Sequence, residues 1–293
     1  MRLGLGHSLA RRGFVAAAAD PAAAYIAAIT AAGATVTAPK QAAISTFISG
    51  EIAAGRWDGI KRLYFPVWGL AAANAICMKS LTTGTWTGGA VTHAAGYVYA
   101  NRFGGYMDTN TTLASVGITK DTYQFVTLHK TAPFGGDNYS DITFGVSDVW
   151  FEVNDGNPYL VLGEEGIFIA TQQQFGIRSI GGNASTRYIK NRTSGGIINS
   201  ETNNQVISTE FNTTNVYFLR ANGYGGLSSE SQTGAFSMGT ILSDAEDTAY
   251  TLNLQNLYNR IRFGIITGLD WQNYADETIA YVIELNKAGV AYV

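Results

Sequence analysis

Acidic residues are the first place to look for chemistry in this chain. Hydrolysis of a glycosidic bond with retention needs two carboxylates ~5–5.5 Å apart on one surface. The acid-rich places are Glu152-Val153-Asn154-Asp155 and Glu164-Glu165. The first holds one glutamate, and Gly156 follows where a strand should continue. In the second the glutamates are adjacent, so on a strand they face opposite sides. No Gly-x-Ser-x-Gly elbow supports a nucleophilic serine. No catalytic residue is expected, and the chain is read as a non-enzyme.

Metal and cofactor sites fare no better. Asp137, Asn138, Asp141 and Asp148 could offer oxygen ligands to calcium. They follow no fixed-spacing loop, and Asp and Asn also serve simply as turn formers. Cys77 is the single cysteine, and His7, His93 and His129 are scattered, so neither a disulfide nor a thiolate metal site is available. Gly4 and Gly6 have no third glycine and no preceding strand, and no phosphate-binding loop occurs. No metal and no cofactor are expected. Trp86, Trp150 and Tyr224 could stack on sugars, although Trp150 lies in an apolar run that favours the core. Asn-x-Ser/Thr triplets at Asn110, Asn138, Asn183, Asn191 and Asn212 read as polar β loops.

Composition narrows the class. The chain has 293 residues and a net charge of -3, with 14% charged residues, 12% aromatics and 34 glycines. A usual charged fraction is ~25%. The pI is about 5.6, so no basic field exists to hold nucleic acid. Neutral, hydrogen-bonding surfaces of this kind suit β-rich extracellular or particle-borne proteins. No run of 18 apolar residues suggests a membrane span.

The pattern of elements supports a mainly β chain with helices at both ends. Residues 1–19 read as a Gly-rich arm without a clean signal-peptide core. Asp20-Pro21 opens a helix striped by Tyr25, Ile26 and Ile29 and ended by Gly33. A second helix, from about 37–40, carries Ile44, Phe47 and Ile48, with Gly50 and Gly55 expected to break it. From Pro66 the chain turns β-like, with strand candidates at 96–100, 106–108, 123–129, 141–151, 159–162, 166–171, 175–180, 186–189, 196–198, 205–208, 216–219 and 235–238. Ser243 then caps a helix, with Glu246 three residues on as its capping box. Asp244 and Asp247 suit the helix dipole, and Tyr250, Leu254, Leu257, Tyr258 and Ile261 form its apolar stripe. A last helix is expected over about 274–287; its Ala280-Tyr281-Val282 echoes Ala24-Tyr25-Ile26.

Two stretches carry a family resemblance. Phe236-Ser237-Met238-Gly239, then Leu242-Ser243-Asp244-Ala245-Glu246 and a helix, resemble the ending of LamG-like (concanavalin A-like) jelly-roll domains in virion proteins of tailed bacteriophages. The Ala-Tyr-Ile helix, its Ala-Gly turn, the Ile-x-x-Phe helix and Trp57 resemble the small helical segment before that jelly-roll. Gly104-Gly105-Tyr106-Met107-Asp108-Thr109 resembles an early strand of the group. The resemblance implies a jelly-roll β-sandwich over 65–262, a helical accessory segment over 20–64, and a helical tail over 263–293. It further implies a fibre, appendage or decoration subunit on the particle surface. The partners would be other virion proteins and copies of itself, a trimer if it is a fibre, with a host-surface glycan if it is an adhesin. Glycanases of the same fold carry Glu-x-Asp-x-x-Glu, which the Asn at 154 departs from.

Overall fold

The computed structural model describes residues 20–88, 91–100, 105–129, 139–143, 149–154, 157–162, 165–168, 176–193, 196–203, 215–219, 232–240 and 242–264. The arm at 1–19, the tail from 265 and the strand candidate at 205–208 lie outside them.

The N-terminal helices form where local signals place them. Helix α1 (Pro21–Ala31) is capped by Asp20, whose Oδ1 accepts from the Ala22 N–H at 2.9 Å. Tyr25 and Ile29 are buried, and Gly33 leaves the helix at φ +95°. Helix α2 (Ala38–Ala53) departs from expectation in one respect: it runs straight through Gly50 and ends only before Gly55, at φ +74°. A helical glycine costs about 1 kcal/mol. Packing of Ala43, Ile44, Phe47, Ile48 and Glu51, all buried, outweighs it.

Strand β1 (Ile60–Tyr64) follows, so β structure begins before Pro66. Its Leu63 and Tyr64 point to opposite faces, and both are buried, which suits an inner strand better than a linker. A four-residue helix, α3 (Ala71–Asn74), precedes β2 (Thr85–Thr87), β3 (Val91–Ala94), β4 (Tyr97–Ala100), β5 (Tyr106–Thr112) and β6 (Thr122–His129). Then come β7 (Tyr139–Thr143), β8 (Val149–Asn154), β9 (Asn157–Leu162), β10 (Glu165–Phe168), β11 (Gly176–Asn183), β12 (Arg187–Thr193) and β13 (Gly196–Asn203). β14 (Asn215–Phe218), β15 (Thr233–Gly239) and helix α4 (Asp244–Phe263) complete the order. The single strand expected over 141–151 is thus two, β7 and β8, paired antiparallel.

The described strands form two antiparallel sheets. In the first, β13-β12-β11-β6-β15-β4-β3 lie in that order, with β1 also on β15. β1 and β4 share one edge of β15: Val98 pairs with Thr233, and Tyr64 with Phe236. The second sheet runs β10-β9-β8-β7-β14-β5-β2. The sheets pack into a β-sandwich around Val98, Met107, Phe125, Ile180, Phe218 and Met238. A three-ring stack crosses the gap. Phe236 lies 6.1 Å from Tyr64 and 5.2 Å from Phe218, with planes 4° and 10° apart.

The outer face of the first sheet is covered by α1, α2 and α4. Val126, Leu128, Ile177 and Ala235 meet Tyr250, Leu254, Leu257, Tyr258 and Ile261 there, so the stripe read on α4 is its buried face. The Ser243–Glu246 capping box is present, with Ser243 Oγ accepting from the Glu246 N–H.

Candidate functional site

The two faces of the second sheet differ in chemistry, and the register shows why. One row of paired positions crosses it through Trp86, Met107, Phe218, Ile142, Phe151, Leu160 and Ile167, apolar throughout. One residue along each strand, the pleat turns over. That second row runs through Thr85, Asp108, Tyr217, Thr143, Trp150, Val161 and Gly166. Position 150 therefore falls in the Tyr217 row.

On this outer face Tyr106 and Tyr217 are half-buried and meet edge to face, with centroids 5.6 Å apart and planes at 87°. Asp108 beside them is held from two directions. Its Oδ1 accepts from the Asn110 N–H at 2.7 Å and its Oδ2 from Asn215 Nδ2 at 3.1 Å. Asn110 takes the left-handed φ of +53° that brings its Nδ2 to the Thr83 carbonyl and Thr85 Oγ1. Thr85 and Thr87 on β2 are exposed next to this group. Aromatic rings beside fixed carboxylate, amide and hydroxyl groups can hold a polyhydroxylated ligand. The rings offer an apolar surface to C–H groups, and the polar atoms exchange hydrogen bonds with hydroxyls.

Of the acids singled out in the sequence for hydrolysis, Glu152 and Glu165 are described, and they fall on opposite pleats. Glu152 lies in β8, level with Tyr159 and Phe168. Glu165 in β10 is level with Leu162 and Val149. The two rows are three residues apart along the strand, an odd step, so the positions sit on opposite pleats. Asn154 pairs with Asn157. Asp155 and Gly156 between them lie, with Glu164, outside the described residues. Asp137, Asn138, Asp148 and Tyr224 are outside as well, while Asp141 lies in β7. Among the described residues no group of three His, Cys, Asp or Glu could hold a metal ion. Nor is any of their helices long and apolar enough to cross a membrane. Trp86 is a packing residue: its Nε1 donates to the Ala71 carbonyl at 3.0 Å, and its ring lies 4.6 Å from His93 and 6.4 Å from Phe218. Asn183 organises a turn, its Oδ1 accepting from the Ser185 and Thr186 N–H groups. Asn191 sits in β12; Asn212 lies outside.

Three buried polar joints went unread in the sequence. Fully buried Glu51 binds Arg56 through two bonds of 2.7 and 2.9 Å and accepts from Asn253 Nδ2 at 2.7 Å, tying α2 to α4. The Glu51 hydrogen bonds hold the Arg56 guanidinium pKa above its ordinary value. Asp247, which the sequence places in the first helical turn where the dipole favours it, is fully buried. It accepts from Gln124 Nε2 and Ser179 Oγ, both at 2.6 Å, pinning α4 to β6 and β11. The adjacent recess lined by Gln124, Ser237, Gly239 and Tyr250 has room for about one water molecule. The third joint links Trp68, Asn74 and His93. Gln124 and Ser179, which bind Asp247, and Asn253, which binds Glu51, are far away in sequence, so no local pattern could announce them. Burial also raises the Tyr25 and Tyr250 phenol pKa values well above the ordinary value.

No protein-family model matches the chain, and no curated protein matches it. Among solved structures it is similar to Trypanosoma rangeli sialidase at 8% identity and a TM-score of 0.48, over 68% of this chain and 33% of that one. It thus spans about a third of that sialidase. It is also similar to the botulinum neurotoxin serotype D binding domain, at 12% identity and 0.46, covering 69% of this chain and 52% of that one. The Ruminococcus gnavus IT-sialidase CBM40 bound to alpha2,3 sialyllactose is similar at 15% identity and 0.40, covering 53% and 95%. At these scores the likenesses carry no argument about activity. The description as a β-sandwich rests on the sheet topology itself.

Proposed function

We propose that the chain is a non-enzymatic structural subunit on the surface of a tailed-bacteriophage particle, a fibre, appendage or decoration protein of the LamG-like jelly-roll type. One observation supports this most. The two stretches that resemble such proteins, 21–57 and 236–261, are far apart in sequence yet meet as one unit. Phe47 lies 6.4 Å from Tyr250, and Glu51 binds Asn253. A unit preserved as a whole is what a shared module would look like. In this reading the chain works by assembling with its own copies, as a trimer in a fibre, and with other virion proteins. A mass-spectrometric inventory of purified particles tests it: the chain is expected there in stoichiometric amount, and its absence would sink the reading.

A second reading, a glycan-binding adhesin, is favoured by the Tyr106–Tyr217 pair and the fixed Asp108 beside it. Glycan-array signal that disappears in Tyr106→Ala and Tyr217→Ala would support it; signal unchanged in both would remove it.

A further inference from the structure

His93, Asn74 and Trp68 admit a single arrangement of donors and acceptors. The Trp68 backbone N–H can only donate, so the Asn74 atom 2.9 Å away must be the carbonyl Oδ1. That turns Asn74 Nδ2, a donor, toward His93 Nδ1 at 3.1 Å. Nδ1 must then be the bare, accepting nitrogen, and the ring is neutral with its proton on Nε2. Asn74 cannot turn over to relieve a proton on Nδ1. It is fully buried, and a flip would set its NH2 group against the Trp68 N–H.

Four parts of the fold meet at this chain. His93 lies in β3, the edge strand of the first sheet. The edge of its ring meets Trp86 on β2, the edge strand of the second sheet, at 4.6 Å and 80°. Trp68 bridges to Ala95 in the β3–β4 turn, where the Gly96 N–H donates to the Val67 carbonyl at 2.9 Å. Trp68 Nε1 donates to the Tyr25 hydroxyl on α1 at 3.1 Å. The charged groups seen against the rings of this region are cations; the acids of α2 and α4 are engaged elsewhere, Glu51 with Arg56, Glu246 at the Ser243 cap and Asp247 with Gln124 and Ser179, and Asp244 lies in the first turn of α4. Lys40 of α2 lies 5.9 Å from the Trp68 ring centroid, and Arg262 of α4 lies 5.8 Å from that of Tyr97 on β4. α3, β2, β4 and the rest of β3 carry no Asp, Glu, Lys or Arg.

We propose that the Trp68–Asn74–His93 chain is an acid-sensitive latch: protonation of His93 removes the acceptor that Asn74 requires and releases the β3–β4 hairpin from the segment leading to the helical layer. Burial acts in the same direction, holding the imidazole below its ordinary value of 6.5. The depressed value means that the neutral ring's contribution to stability is complete above pH 6.5. It is lost as pH falls from there through the folded value.

The test is an NMR titration of the full chain, with the His93 signal assigned by its loss in His93→Gln, alongside hydrogen exchange at Gly96. His93 is expected to titrate below 6.5, and Gly96 protection, corrected for intrinsic exchange, to drop about tenfold as the ring is charged. In His93→Gln, whose amide oxygen can accept without titrating, protection should stay flat across that range. Asn74→Asp should reverse the sign, because a carboxylate accepts from both Trp68 N–H and a charged imidazole and raises the His93 value. A wild-type imidazole titrating at or above 6.5 overturns the latch. So does Gly96 protection that is equal on both sides of the titration. The Gly96 readout comes from the wild-type chain alone and survives a variant that fails to fold.

Discussion

Strand β15 in the first sheet is buried at all seven positions, Thr233 to Gly239, whereas β5 in the second alternates buried and part-exposed residues. The cause is the helical layer. Where α4 and α2 cover a sheet, even its outward positions lose water, and polar groups there must find partners: Ser237 meets the Tyr250 hydroxyl at 2.7 Å, and Ser179 and Gln124 meet Asp247. In the second sheet the described outer positions Asp108 and Tyr217 stay part-exposed, while Thr109 and Thr111 of β5 are buried and hydrogen-bonded.

Substitutions can break that contrast. Phe236→Ala, which removes the middle ring of the inter-sheet stack, should cost about 3–5 kcal/mol in urea denaturation and mark the limit set by the shared core. Asp247→Ala strands two buried donors and should cost about 2–4 kcal/mol, with loss of α4 docking seen as faster amide exchange in that helix. Ser243→Ala should cost about 1 kcal/mol through its cap. The Ser243 hydrogen bonds hold the Glu246 carboxyl below its ordinary 4.5, so their contribution is present above that pH and is lost as pH falls through the depressed value. A denaturation series across acid pH should show a shallower slope in Ser243→Ala. Tyr217→Ala on the uncovered face should cost only about 1 kcal/mol. If it costs as much as Asp247→Ala, the contrast between the sheets fails.

Legibility in the sequence followed the range of the interactions. The Ser243–Glu246 box and the Asp20 cap act over three residues or fewer, and both were readable. The α4 stripe was readable because a helix buries one face with a fixed period. Strand β1 was not, since its partner β15 lies near the far end of the described chain and the intervening helices coloured the reading of 57–64. Asp247 was placed in the correct turn without its partners, because sequence shows the helix terminus but not the serine and glutamine that the sheet presents to it. The Tyr106–Tyr217 pair is likewise a product of register between β5 and β14, strands with many others between them.

The shared edge of β15 has a kinetic consequence. The strand that fills the middle of the first sheet is made well after its neighbours β1, β4 and β6. Until it arrives they have a gap where their backbone partner belongs, and closing that gap means joining Ile60 to Gly239. Loop-closure entropy has to be met before those contacts form, so folding should be slow and should finish from the C-terminal side. A nascent chain cut before β15 should remain open and prone to pair with strands of other copies.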